Sequence, residues 1–317
     1  MRTTVYFATN RQVAGQGASP DDYGSGIVPP SDPGQLTFGT AFVDGTDLGA
    51  GTSGRIIDIQ DVSCWRFGAV ALGDLAAPGR NILVFVHGFD NTFEDAVTRA
   101  AHNREWMAAS GAAGADMTVA AFCWPSLGRL VDPPFLTSDY QRDQTMAGQS
   151  GVHVMRFFAA LQPLLLQARA RGSLYYLLCH SMGNWALQAA VESWMSHGMA
   201  AAEMFDQAIL AAADERYDSF DFPVPGRLSG LGSLARRISI LYSRADLVLT
   251  VSAAVNRGLR RLGQEGPHNQ ADPAEFPPAK FRMVDCSGAR DYEGGFMVSH
   301  QYYRLSPGVR AGIAAHL

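Results

Sequence analysis

The run Cys179-His180-Ser181-Met182-Gly183 sets a hydroxyl between an apolar stretch, Leu174 to Cys179, and a segment from 183 to 196 with helical spacing. A serine on a tight strand-to-helix turn projects its hydroxyl beyond the sheet, and small residues two before and two after it let the backbone turn without collision. Such a hydroxyl can attack an acyl carbon. The usual pattern has glycine at both small positions, and here Cys179 stands at the first. Serine is also a good helix N-cap, but the strand before it and the helix after it favour the nucleophile.

A lone hydroxyl is a poor nucleophile; it needs a base within hydrogen-bond reach and a third group to orient that base. On this kind of turn the chain order is serine, acid, histidine. Downstream of Ser181 lie His268, His300 and His316. His316 is penultimate and would fray with the terminus, and His268 falls in a polar insert. His300 hangs on the loop GGFMVSHQYY after the last expected strand, where a base belongs. For the acid, Asp246 in Ser243-Arg244-Ala245-Asp246 is preferred to Asp214 in AAADERYDSF, because the strand before it is cleaner and the helix after it longer. Asp285 comes third, and each could instead cap a helix or be a surface charge.

Acyl transfer also needs donors aimed where the oxyanion develops. One is expected from the Met182 N–H, next to the nucleophile, and another from the Phe89 N–H in His87-Gly88-Phe89, which ends an earlier strand. Trp124, Phe89 and Tyr140 are candidates to line an acyl pocket, though aromatic residues are more often core or lid packing.

The elements that must carry these residues are regular from residue 81 onward. Ile82 to Val86, Met117 to Cys123, Leu174 to Cys179, Phe205 to Ala212 and Ile238 to Tyr242 are apolar runs of strand length, as expected of parallel strands buried on both faces. Lys280 to Val284 reads as a last strand. Helical spacing predicts helices over 92–109, 139–170 with a kink near Gly148 and Gly151, 183–196, 247–261 and 309–317. Strands alternating with helices imply a parallel sheet covered on both sides. Thr3 to Ala8, Thr37 to Val43 and Arg55 to Leu72 read as early strands, and 10–37 as a long surface loop. Irregular inserts near 125–140, 217–235 and 262–279 leave the carboxyl ends of strands, where open α/β sheets place ligands. No repeat or composition break divides the chain, so 1–317 is expected to be one domain.

A net charge of -5 without long Lys or Arg runs argues against nucleic acid as a partner. Neither HExxH nor a clustered His/Asp spacing is present, so no metal or other cofactor is called for. Cysteines 64, 123, 179 and 286 are scattered without CxxC spacing, which fits a reducing compartment. With no signal-like N-terminus and no apolar stretch of transmembrane length, the expected location is cytoplasmic. Oligomeric state is not legible.

In order, ILVFVHGF, FCWPS, HSMGNWAL, ILYSRADLVL and SHQYY, with the N-terminal VYFATNR, resemble a bacterial α/β-hydrolase family of unknown function. The resemblance covers nearly the whole chain except 10–37 and 262–279. It implies an α/β-hydrolase fold, a mostly parallel sheet with helices on both faces and lid-like inserts, and it implies Ser181, Asp246 and His300 as the triad. A small residue at position 179 is typical of that family. The expected activity is a serine hydrolase cleaving a small-molecule carboxylic ester through an acyl-enzyme. An acyltransferase or peptidase would keep the same triad, and a silent member of the fold would act by binding alone.

Overall fold

The computed structural model describes residues 1–28, 35–111, 114, 116–127, 136–200 and 203–317. Its strands are β1 (Thr3–Thr9), β2 (Arg11–Val13), β3 (Tyr23–Ile27), β4 (Thr37–Asp44), β5 (Arg55–Cys64), β6 (Asn81–Val86), β7 (Met117–Cys123), β8 (Tyr175–His180), β9 (Phe205–Ala211), β10 (Ala235–Tyr242) and β11 (Phe281–Asp285). Its helices are α1 (Ala69–Leu75), α2 (Phe93–Ala109), α3 (Leu136–Gln149), α4 (Gly151–Arg169), α5 (Gly183–Ser196), α6 (Leu247–Val255), α7 (Leu262–Glu265), α8 (Tyr302–Leu305) and α9 (Pro307–Ala314).

Among the described residues, nine strands form one sheet in the order β11-β10-β9-β8-β6-β7-β1-β4-β5. From β11 through β1 neighbouring strands are parallel, and β4 and β5 extend the sheet by antiparallel pairing. The chain runs β6 to β7 in one direction and then places β8 on the other side of β6, so the order reverses at the β6/β8 pair. Connections leave opposite faces there and open a crevice beyond the strand ends.

Alternation within each strand divides the core in two. Val84, Val86, Leu177 and Cys179 pack with α1, α3, α4 and α5, whereas Leu83, Phe85, Tyr176 and Leu178 pack with α2, α8 and α9. Both faces are thus dry, which is why these strands read as unbroken apolar runs rather than as alternating ones. Among the described residues, no helix is long and apolar enough to cross a membrane.

Three expectations need correction. Residues 10–37 do not form a loop throughout: β2 and β3 pair as an antiparallel ribbon, and Asn10 and Arg11 are fully buried. Their polar character reads as solvent exposure in the sequence, but their side chains bond inside the protein. The helix after Asp246 ends at Val255 rather than near 261, because Arg257 and Gly258 turn to positive φ (59° and 77°) and stop it. Arg55 to Leu72 is strand only as far as Cys64, and helix α1 begins at Ala69, whereas the helical stretch over 139–170 breaks at Ser150, where the interruption near Gly148 and Gly151 is expected. Residues 29–34 of the first insert and 128–135 of the second lie outside the described residues.

α4 lies so close on α5 that a Cβ at Gly151 would come within 2.6 Å of the Ala189 Cβ. Gly151→Ala gains at most about 1 kcal/mol of helix propensity, against an overpacking cost of roughly 1–3 kcal/mol. We expect a net loss of stability, visible as a lower urea midpoint. A midpoint equal to or above wild type would mean that the helix contact yields freely.

Candidate active site

Ser181 occupies the turn between β8 and α5 with φ +54°, the left-handed region that a residue with a Cβ enters only at a cost. Its surroundings fix it there. The Ser181 N–H donates to the Ala211 carbonyl (3.0 Å), while the Ser181 carbonyl accepts from the Asp214 N–H (3.1 Å) and from Asn184 Nδ2 (3.0 Å). Gly183 is pressed on the end of β6: a Cβ there would lie 2.4 Å from the His87 carbonyl oxygen. A Cβ on Gly88 would in turn lie 2.7 Å from that of Ser181. These two contacts demand glycine. Position 179 does not, because Cys179 is a fully buried residue of β8 packed in the core, where burial pushes its thiol well above the usual range.

Asp246 sits at the carboxyl end of β10 and starts α6, fully buried. Its Oδ1 accepts from the Leu249 N–H (3.0 Å), an N-cap bond, while its Oδ2 accepts from His300 Nδ1 (2.7 Å). The same aspartate thus caps α6 with one oxygen and contacts the His300 imidazole with the other. In the tautomer that donates from Nδ1 in that bond, the Nε2 lone pair is left free. Nε2 is buried, and among the described residues it has no hydrogen-bond partner.

No hydrogen bond joins His300 Nε2 to Ser181 Oγ. Proximity is carried by neighbours instead: His180, next to Ser181, bonds through Nε2 to the His300 carbonyl (3.1 Å), and the two rings lie 4.8 Å apart. Phe296 and Met297, just before His300, line the same cleft as Ser181. Catalytic hydrogen bonds are commonly longer in a ligand-free site than in the reacting complex.

Of the other sequence candidates, Asp214 lines the same cleft as Ser181 but is engaged by other side chains, and the rest lie elsewhere. Asp214 accepts from Tyr140 Oη (2.7 Å) and Ser252 Oγ (2.5 Å) and faces the buried Arg261 guanidinium (3.3 Å). Asp285 pairs with Arg244 (2.9 Å) at the sheet edge, and His268 with Asp221 (2.7 Å) on the surface. His316 stays on the terminal turn, its N–H on the Ile313 carbonyl.

The cleft beside Ser181 is narrow, with about 30 Å³ of free space, and is walled by Phe89, Tyr140, Val248, Val251, Val255 and Met297. Tyr140 lines it as the sequence suggests, its hydroxyl drawn down by Asp214. Trp124 does not: it is fully buried, stacks on His87 at 4.9 Å, and donates from Nε1 to the His87 carbonyl (2.8 Å). That tryptophan supports the loop after β6 from below, so its indole never reaches the cleft. A roomier groove of about 800 Å³ beside the β2–β3 ribbon shares no lining residue with this cleft.

Among the described residues, neither the Met182 N–H nor the Phe89 N–H has a hydrogen-bond partner. Two donors are thus uncommitted on the loops that flank the β6/β8 crevice. Sequence reasoning missed His180 as a support for His300; its placement inside HSMG drew attention only to the serine.

The model of a family described as alpha/beta hydrolase of unknown function (DUF900) matches residues 72–316. No curated protein matches the chain. Among solved structures the chain is similar to LpqC, a poly(3-hydroxybutyrate) depolymerase from Bordetella parapertussis, with 14% identity over 87% of this chain and 85% of that one and a TM-score of 0.43.

Burial, followed by the proximity of His300 and Arg99, holds the His180 imidazole well below its usual pKa. The folded chain therefore keeps it neutral while the unfolded chain protonates it below about pH 6.5. A group depressed in this way supports the fold above its unfolded pKa and loses that support as pH falls. Relative to His180→Asn, wild type should lose up to about 1.4 kcal/mol of stability per pH unit below pH 6.5, measured by urea unfolding at pH 7, 6 and 5. Parallel curves for the two proteins would contradict the neutral assignment.

Proposed function

Because the chain belongs to this α/β-hydrolase family of unknown function, we propose that it is a serine hydrolase that cleaves a small carboxylic ester through an acyl-enzyme. The observation that carries the reading is the buried 2.7 Å bond from His300 Nδ1 to Asp246 Oδ2, with Nε2 lacking a partner among the described residues and Met297, three residues earlier, lining the cleft that holds Ser181.

In this reading Ser181 Oγ attacks the ester carbonyl carbon and its proton passes to His300 Nε2. Asp246 keeps the imidazole in the required tautomer and stabilises the imidazolium without taking the proton itself. The oxyanion of the tetrahedral intermediate accepts from the Met182 and Phe89 N–H groups, whose freedom from other partners supports that role. As the intermediate collapses, the bond to the leaving oxygen breaks and His300 returns the proton to it, releasing an alcohol. Water then repeats the sequence on the acyl-enzyme, and the carboxylic acid departs.

The apolar walls and small free space of the cleft support a short acyl group. Asp214 is a weaker candidate for the orienting acid, since both of its oxygens already serve Tyr140, Ser252 and Arg261.

Ser181→Ala should abolish both covalent labelling by a fluorophosphonate and hydrolysis of 4-nitrophenyl acetate while leaving the circular dichroism unchanged; activity surviving in that variant removes the central assignment. Asp246→Asn should lower kcat by roughly 10⁴-fold, far more than Asp214→Asn. The reverse ranking in steady-state kinetics would move the acid to Asp214. Among nitrophenyl esters, turnover should fall from acetate to octanoate, and a preference for octanoate would contradict a short acyl site.

A further inference from the structure

The N-terminal motif VYFATNR ends in Arg11, and nothing in the proposed chemistry uses it. Arg11 is nevertheless fully buried, and its guanidinium spans three backbone carbonyls: Nη2 donates to Asn91 (2.8 Å), and Nη1 to Gly24 (3.0 Å) and Ser126 (3.2 Å). Burial lowers its pKa to about 10, so the cation persists at neutral pH. A charge drawn into the interior to hold main-chain oxygens fixes the position of those segments. The one that matters most is Asn91.

Asn91 is fully buried just past the proposed oxyanion loop. Its Nδ2 donates to the Gly88 carbonyl (2.9 Å) and to the Phe89 carbonyl (2.7 Å). Both partners accept only, so the amide must present its NH2 to them. Its own Oδ1 is buried and, among the described residues, has no partner. A buried acceptor left without a donor costs stability, which points to a purpose other than holding the fold together.

The Gly88 carbonyl and the Phe89 N–H belong to one planar trans peptide and point in opposite directions. Tying that carbonyl to Asn91 turns the Phe89 N–H away from Asn91. On the other side, Gly88 lies directly against Ser181: a Cβ there would meet the Ser181 Cβ at 2.7 Å. Asn91 is itself gripped at both ends, its carbonyl by Arg11 and its N–H by Ser126 Oγ (3.1 Å), which in turn donates to Asp143 Oδ2 (2.5 Å).

We infer that Asn91, anchored by Arg11, is a positioning residue that sets the Gly88–Phe89 peptide so that the Phe89 N–H faces the reacting carbonyl at Ser181. The inference rests on the esterase reading only for the use of that N–H; the orientation itself is a separate physical claim.

Two readouts on Asn91→Ala and Arg11→Lys test it. The first is the backbone amide resonance of Phe89, followed by heteronuclear NMR; the second is the split between kcat and KM on 4-nitrophenyl acetate. Arg11→Lys keeps a cation but lacks the fork that reaches three carbonyls, and it stands in if Asn91→Ala does not fold. In a folded variant the Phe89 amide should shift while those of β9 and β10 stay in place. kcat should fall toward the 10²- to 10³-fold loss known for removal of one oxyanion donor, with KM little changed. An unmoved Phe89 amide overturns the inference, as does a loss carried by KM alone. A shifted amide in a protein whose wild type hydrolyses no ester sustains the inference and sinks the esterase reading instead.

Discussion

The Asp246 carboxylate caps α6 with one oxygen and holds the His300 imidazole with the other. Because both bonds leave one rigid, buried group, the helix that walls the cleft and the His300 imidazole are set by the same atom positions. His300 has little other side-chain anchorage: its ring rests on His180 and its Nε2 is unpaired. The Asp246 bond therefore sets the orientation of a histidine on a Gly-rich loop, the residue proposed as the base. The same low-polarity surroundings make that bond strong and make its loss expensive.

The rest of the site follows from backbone crowding at the β6/β8 crevice. Gly183 against the end of β6 and Gly88 against Ser181 bring two chain turns to a distance that side chains would forbid. That contact also leaves two N–H groups without structural partners. Under the proposed reading those two donors meet a developing oxyanion rather than a neutral ground state, which is the property that raises kcat.

How much of this is readable from the sequence depends on whether the signal is local. The parallel strands are legible because burial on both faces forces continuous apolar runs, and the serine turn because its crowding selects small residues at fixed spacing. The choice between Asp246 and Asp214 is not, since each follows a strand; only the fold reveals that Asp214 is engaged by Tyr140, Ser252 and Arg261. Trp124 misleads because an aromatic residue after a strand reads alike whether it lines a cleft or supports a loop. Asn10 and Arg11 mislead most, because a Gly- and Asp-rich neighbourhood gives no hint that a charged side chain turns inward to bind carbonyls 13, 80 and 115 residues away.

The sheet continues beyond the segment that the family model matches. β1 pairs with β7, and β4 and β5 complete that edge, yet the family match begins at residue 72. The first strands are thus an outrigger whose inner end, through Arg11, bears on the loops beside the serine. A substitution in these strands can therefore displace the loops beside Ser181 through the Arg11 guanidinium without touching the cleft itself.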